Sequence, residues 1–194
     1  MSLLSGKKVL LGISGGIAAY KTPILVRELI KKGAEVRVIM TQSAKNFVTP
    51  LTLSTVSKNP VLSSFIATDQ DNPLWNDHVA IGLWADLFIV APATANTISN
   101  MAHAVCNNLL LATYLSAKCP VFIAPAMDLD MYAHNAQQKN LSVLKKVGNI
   151  VFPVGEGALA SGLSGQGRML EPIEMVSLLA VSYTHLTLPT TPYV

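Results

Sequence analysis

Charge is scarce in this chain: of 194 residues only 13% are Asp, Glu, Lys or Arg, while 51% are hydrophobic. That balance is greasy for a monomer. A parallel sheet covered on both faces would explain part of it, and a surface that a second subunit covers could absorb the rest. The formal net charge of +3 is small and dispersed, which argues against a nucleic-acid footprint and is compatible with small anionic ligands. Long apolar runs are missing too. None approaches the roughly 20 residues of a membrane span, and the apolar stretch Val9–Ile13 runs straight into Ser14-Gly15-Gly16, unlike a signal peptide. There are just two cysteines, Cys106 and Cys119. They give no disulfide framework, fit a reducing cytoplasm and read as small buried hydrophobes. No Cys/His cluster has metal-ligand spacing, and no Ser–His–Asp set is recognisable.

What is present is an alternation. Lys8–Ser14, Glu35–Thr41, Asp86–Ala91, Pro120–Ala124 and Asn149–Val154 read as strands, apolar almost throughout. Helical stretches follow at Ile17–Lys32, Thr94–Ser116, Asp130–Val147 and from Ile173 to Val181. Asn46–Phe65 is ambiguous, with Pro50 and Pro60 interrupting it. Ala67–Asp77 and the glycine-rich Gly155–Pro172 read as loops. Apolar strands alternating with helices predict an α/β fold, a doubly wound Rossmann-like or flavodoxin-like parallel sheet with helices on both faces. The expected domain is 1–181. Residues 182–194 (S-Y-T-H-L-T-L-P-T-T-P-Y-V) carry no charge and are rich in Thr and Pro. They are expected neither to continue the helix nor to serve as a linker, and they resemble translated vector sequence. No function is placed on them.

Four loops carry the candidate chemistry. The first, G-I-S-G-G-I-A-A-Y-K over 12–21, joins a strand to a helix. Gly15 and Gly16 let the backbone approach a ligand, and N–H groups at a helix start attract phosphate. It lacks the G-x-G-x-x-G spacing and an acidic ribose partner, which disfavours NAD; an ordinary tight turn is the plainer reading. Ser43, after the second strand, can cap a helix or hold a phosphate in the same way. The second loop, A-P-A-T-A-N-T over 91–97, follows the third strand. Ligands of open parallel sheets bind beyond the carboxyl ends of strands, so these loops should share one crevice. There Thr94, Asn96 and Thr97 offer donors and acceptors suited to a flavin ring or phosphate, or Thr94 simply caps a helix. The third, P-A-M-D-L-D-M-Y over 125–132, sets Asp128 and Asp130 between Met127 and Met131; helix capping is again the plainer role. The fourth, A-S-G-L-S-G-Q-G-R-M-L-E-P over 160–172, reads as a mobile flap, with Arg168 available to a substrate anion or to Glu171. His78, in N-D-H-V, is the best acid–base candidate. His103 and His134 lie on expected helices and default to surface or packing roles.

Taken in order, S-G-G-I-A-A-Y-K, P-A-T-A-N-T, P-A-M-x-x-x-M-Y, S-G-x-x-G-x-G-R-M-x-E-P and His78 resemble the homo-oligomeric flavin-containing cysteine decarboxylases. The phosphopantothenoylcysteine decarboxylases, including the N-terminal half of the bacterial bifunctional decarboxylase–synthetases, are the nearest pattern. The likeness runs from Lys7 to about Val181. It implies FMN as cofactor, held at a subunit interface of a trimer or a multiple of trimers, and a cytoplasmic enzyme of coenzyme A synthesis. By the same resemblance Ser14, Gly15, Gly16, Ser43, Thr94, Ala95, Asn96 and Thr97 would contact FMN. His78 would be the catalytic base and Met127, Asp128 and Arg168 would face substrate. The chemistry implied is decarboxylation of 4′-phosphopantothenoylcysteine to 4′-phosphopantetheine. A cysteine carboxylate cannot easily lose CO₂ unless the flavin first oxidises the thiol to a thioaldehyde that accepts the electrons. A neutral imidazole suits the proton removal.

Three departures accompany the likeness. Asp128 stands where the family carries asparagine, and an ionised Asp would repel a substrate carboxylate unless protonated or turned aside. Ser161, in A-S-G, stands at the proton-donating cysteine, and a hydroxyl is a far weaker acid than a thiol. Finally, Ala104, Cys106, Asn107 and Asn108 replace the usual G-x-A-D-N, losing a glycine and an aspartate. Alternatives at this stage are a peptidyl-cysteine decarboxylase, a flavin prenyltransferase, disfavoured by S-G-G in place of T-G-A-S-G and by few clustered arginines, and a non-catalytic flavoprotein-like binding subunit.

Overall fold

A computed structural model describes residues 4–67 and 74–187. The strands β1 (Lys8–Ile13) and β2 (Glu35–Met40) are joined by a 3₁₀ turn, Ile17–Lys21, and α1 (Thr22–Lys31). After α2 (Pro50–Ser57) come β3 (Val61–Leu62), β4 (Ile66–Ala67), β5 (Leu74–Trp75) and α3 (His78–Trp84). Then follow β6 (Leu87–Ala93), α4 (Ala95–Ala102), α5 (Leu109–Ser116), β7 (Val121–Pro125), α6 (Leu129–Ala133) and α7 (Asn135–Lys146). The chain continues through β8 (Ile150–Val151), β9 (Gly155–Ala158), β10 (Ser164–Arg168) and α8 (Pro172–Thr187).

Six of these strands form one parallel sheet in the order β3-β2-β1-β6-β7-β8. The chain winds outward from β1 in one direction, returns to β6 beside β1, and winds outward in the other. The expected doubly wound fold is therefore present. The crevice at the β1/β6 junction is where such a sheet opens a ligand site.

Side-chain alternation assigns the two faces. Val9, Leu11 and Ile13 of β1 join Leu25 and Leu29 of α1 and Met175 and Leu179 of α8 in one buried cluster. Leu10 turns the other way, to Phe88, Ile98, Leu110, Leu141 and Leu144. Each fully buried aliphatic or aromatic side chain contributes roughly 1.5–3 kcal/mol, so burying both faces of β1 explains an almost wholly apolar strand.

The differences from the expected elements have local causes. The helix expected from Ile17 begins as a 3₁₀ turn, because Pro23 has no N–H to offer Ala19; the Thr22 hydroxyl donates to that carbonyl instead, at 2.7 Å. The single helix expected over 130–147 is two, since His134 adopts an extended conformation and its Nδ1 accepts the N–H of Ala136. His134 is thus a capping residue. The stretch 94–116 breaks at Ala104, a non-glycine residue at φ 55°, and restarts where Asn108 accepts the N–H of Leu111. The glycine-rich 155–172 holds an antiparallel hairpin, β9 against β10, rather than a loop alone. Likewise β5 pairs with β4 at the edges of the expected 67–77 loop. α8 continues to Thr187, six residues past the expected end of the domain; the remainder of that tail lies outside the described residues. Cys119 is half-buried where full burial is expected, and that burial pushes its thiol up to about 11, opposed by a backbone hydrogen bond and reinforced by the nearby Asp86 charge. Cys106 is exposed instead of buried. No helix among the described residues is long and apolar enough to cross a membrane.

Candidate active site

At the carboxyl ends of β1, β6 and β7 lies a cavity of about 640 Å³, within the size range of cofactor sites. Four segments wall it: Gly15–Lys21 after β1, Thr94–Asn96 after β6, Ala126–Asp128 after β7 with Met131 of α6, and Ala158–Ser161 with Gly167–Met169 of the hairpin. Nine expected site residues meet there: Gly15, Gly16, Thr94, Ala95, Asn96, Met127, Asp128, Ser161 and Arg168.

Ser14 and Thr97 do not line it. Both are buried, and their hydroxyls serve the scaffold. Ser14 Oγ donates to the Pro92 carbonyl at 2.6 Å and accepts the N–H of Thr94 at 3.0 Å, tying the first loop to the second. Thr94 Oγ1 accepts the N–H of Thr97 as the cap of α4, and donates to the Thr97 hydroxyl at 3.2 Å. Ser43 is exposed and sits against Gly15 rather than in the cavity wall; its hydroxyl shares a hydrogen bond with Thr41 at 3.1 Å. A Cβ on Gly15 would overlap Ser43 Oγ at 2.4 Å and its backbone carbon at 2.8 Å. Glycine is therefore required there for close approach of the two loops.

Asp128 is turned into a cap: its Oδ1 accepts the N–H of Leu129 at 2.8 Å at the start of α6. The carboxylate is thus engaged in capping while it still lines the cavity wall. Arg168 pairs with Glu171 at 3.3 Å, the plainer of its two expected roles. Ser161 Oγ lies in the hairpin turn and accepts the N–H of Leu163 at 3.4 Å. The hairpin is anchored to the third loop where Met127 N–H donates to the Gly167 carbonyl at 3.0 Å.

His78 does not enter this cavity within one chain. It opens α3 beside the β4/β5 hairpin, capped by Asp77, whose Oδ1 accepts the N–H groups of Val79 and Ala80. Phe65 and Trp75 meet the imidazole edge-on at centroid distances of 6.1 and 6.4 Å. Its Nδ1 is buried with no hydrogen-bond partner among the described residues. Around it Leu74, Trp75, Val79 and Leu83 are exposed apolar side chains. The expectation that His78 points into the gathered loops is not met within a single protomer, where His78 is not among the residues that line the cavity.

Sequence reasoning missed Lys21 as a separate element of the site. It is 5% exposed, yet it lines the cavity and bonds across to the hairpin. The available signal was a lone base ending an otherwise apolar stretch. No cluster of three or more potential metal ligands occurs among the described residues.

Residues 2–183 match the family model described as flavoprotein. The chain belongs to the flavoprotein family. Among curated relatives it is 46% identical over 177 residues to the coenzyme A biosynthesis bifunctional protein CoaBC of Vibrio cholerae, covering 91% of this chain and 44% of that protein. It is 44% identical over 181 residues to CoaBC of Escherichia coli, covering 93% and 44%. A cysteine/cysteine sulfinic acid decarboxylase from an unknown prokaryotic organism is 59% identical over 129 residues, 66% of this chain and 35% of that protein. The chain thus spans less than half the length of these relatives. Among solved structures, a cysteine-to-serine variant of a PPC decarboxylase complexed with pantothenoylaminoethenethiol matches with TM-score 0.80 at 30% identity, covering 92% of this chain and 99% of that one. The FMN-dependent cysteine decarboxylase SpaF matches with TM-score 0.73 at 27% identity, covering 92% and 99%.

Proposed function

We propose that this chain is an FMN-dependent decarboxylase of a cysteine-derived carboxylate, with 4′-phosphopantothenoylcysteine as substrate and coenzyme A synthesis as its context. The observation that carries the reading is the convergence of four separate loops on one cavity at the β1/β6 junction, with the Gly15 cradle closed against Ser43. The residues present fit the cofactor: a roomy, largely apolar chamber, small residues where a planar ring needs clearance, and polar groups at Thr94 and Asn96. Gly15, Gly16 and Thr94–Asn96 would hold FMN, with Ser43 at its edge. When bound, FMN supplies the electron sink that a cysteine carboxylate lacks. Met127 offers an apolar wall to the substrate and Arg168 a cationic one, while Asp128 stays engaged as a cap.

The base is assigned to His78 of a neighbouring protomer. Its unsatisfied Nδ1, its aromatic frame and the exposed apolar side chains around it suit a surface that a second copy covers. Across that interface the imidazole would take a proton near the thiol. A homotrimer, or a multiple of one, with the cofactor between protomers satisfies both the greasy composition and the lack of a histidine among the residues that line the single-chain cavity. The test is reconstitution with FMN followed by assay of CO₂ release from phosphopantothenoylcysteine. Flavin uptake with turnover, lost in His78→Asn, is expected. A chain that takes up no FMN, or a His78→Asn variant with full turnover, would overturn the reading.

Ser161 favours a second outcome for the same site. A hydroxyl protonates the enethiol poorly, so the product would leave as the oxidised enethiol, as in a peptidyl-cysteine decarboxylase, with the two electrons left on the flavin and passed to an external acceptor such as dioxygen. Support comes from the similar serine-substituted PPC decarboxylase, whose bound molecule is an enethiol. Mass spectrometry separates the outcomes, because the enethiol is lighter than the thiol by two hydrogens.

A further inference from the structure

Lys21 is among the few charged side chains buried in this protein, at 5% exposure. Its ammonium donates to Glu171 Oε1 at 2.6 Å and to the Met169 carbonyl at 3.1 Å. The same Oε1 accepts from Arg168 Nη2 at 3.3 Å. Three parts of the chain therefore meet at one carboxylate oxygen: the turn before α1, the end of β10, and the start of α8, where the Glu171 carbonyl accepts the N–H of Met175 at 2.9 Å. Arg168 also lies over Gly157 of β9, where a Cβ would stand 3.1 Å from Nη1.

A buried ammonium without a counter-charge is strongly disfavoured, so Lys21 holds Glu171 in place as firmly as Glu171 holds Lys21. One carboxylate shared by two cations leaves the group with a net positive charge, and the cation nearer solvent, Arg168, faces the cavity. We infer that Lys21 and Glu171 are positioning residues, a latch that fixes the β9–β10 hairpin against the cofactor cradle and aims Arg168 at an anionic substrate. The inference rests on the decarboxylase reading above. Neither latch residue needs to touch a reacting atom. Their effect is on the hairpin, and through it on substrate affinity.

The test compares the FMN-loaded wild type with Lys21→Met, Lys21→Arg and Glu171→Gln, by hydrogen exchange of the hairpin amides and by steady-state kinetics with phosphopantothenoylcysteine. In Lys21→Met, exchange across residues 155–168 and the KM are each expected to rise about tenfold, with kcat within about twofold of wild type, as for loss of a coupled buried pair. Lys21→Arg should restore both, and Glu171→Gln should follow Lys21→Met. Should either single variant fail to fold, the double variant Lys21→Met/Glu171→Gln, which removes both charges of the pair and leaves no buried ammonium unpaired, carries the test with the same expected rises. Unchanged hairpin protection with unchanged KM, or a fall in kcat with KM unmoved, would overturn the latch. A wild type that binds FMN but releases no CO₂ would instead end the decarboxylase reading, leaving hairpin exchange to decide the latch by itself.

Discussion

The hydroxyl of Ser14 and the backbone of Thr94, 80 residues apart, form the joint of the site: Thr94 N–H donates to Ser14 Oγ at 3.0 Å while that hydroxyl donates to the Pro92 carbonyl. The two strands that meet at the switch point, already paired along their ladder, are tied beyond their carboxyl ends by this hydroxyl and by the Ser14 N–H, which donates to the Pro92 carbonyl at 3.2 Å. Both backbone groups are shielded from water there, so the lock governs the spacing of the two loops that would cradle a flavin.

Ser14→Ala removes the side-chain acceptor of the Thr94 N–H and one of two donors to the Pro92 carbonyl, which keeps the Ser14 N–H at 3.2 Å. The expected loss of stability is about 1–3 kcal/mol, read from chemical denaturation of the apoprotein. FMN affinity should fall with it, since Thr94 and Gly15 are no longer held in register. A variant as stable as wild type and with undiminished flavin binding would show that the joint is incidental.

The separation of His78 from the cavity makes a prediction about assembly. His78→Asn and Gly15→Ala should each abolish turnover, the first by removing the base and the second by pushing the cradle off Ser43. Co-assembled in equal amounts, they should recover roughly a quarter of wild-type activity, because each site draws its cavity and its histidine from different protomers of a symmetric ring. No recovery from confirmed mixed oligomers would mean that both elements come from one chain.

Ala104 sits at φ 55°, a conformation that costs a non-glycine residue roughly 1–2 kcal/mol. It is exposed, and its place in the sequence is where the family pattern carries glycine. Ala104→Gly relieves the strain but adds unfolded-state freedom worth about 0.4–1 kcal/mol. The net expectation is a gain of about 0.5–1 kcal/mol, read as a higher denaturation midpoint with an unchanged slope. A loss of stability would mean that the turn draws more from the Ala104 methyl group than its backbone angle costs.

How far the residue pattern led is best judged from particular elements. The sheet was legible because β1 and β6 are buried on both faces, which forces the unbroken apolar runs Val9–Ile13 and Leu87–Ala93. The three loops after β1, β6 and β7 followed from that, and the structure brings them together. The β9–β10 hairpin was not legible, because its glycines carry no alternation: Gly155, Gly157, Gly165 and Gly167 lie within the paired strands. The depth of Lys21 was hidden as well. Its counter-charge lies 150 residues away, beyond any local pattern. α8 extends into a stretch that holds threonine because the helix penalty of each such residue is only a few tenths of a kcal/mol.

Asp128 gives the last prediction, and its direction follows from one hydrogen bond. Its Oδ1 accepts the Leu129 N–H at 2.8 Å while the residue lines the cavity. An asparagine can accept the same bond through its own Oδ1, and Asn and Asp are near-equal caps, so Asp128→Asn should leave stability almost unchanged. What it removes is a negative charge beside a site proposed to take a carboxylate. Two like charges about 6 Å apart repel by about 3 kcal/mol at an effective dielectric of 20, and exposure to solvent trims that further. The expected outcome is a KM lowered by about 3- to 10-fold with kcat little changed, the difference shrinking at high ionic strength as salt screens the wild-type repulsion. An Asp128→Asn enzyme with the wild-type KM at low salt would show that the carboxylate, occupied with capping α6, projects no charge onto the substrate.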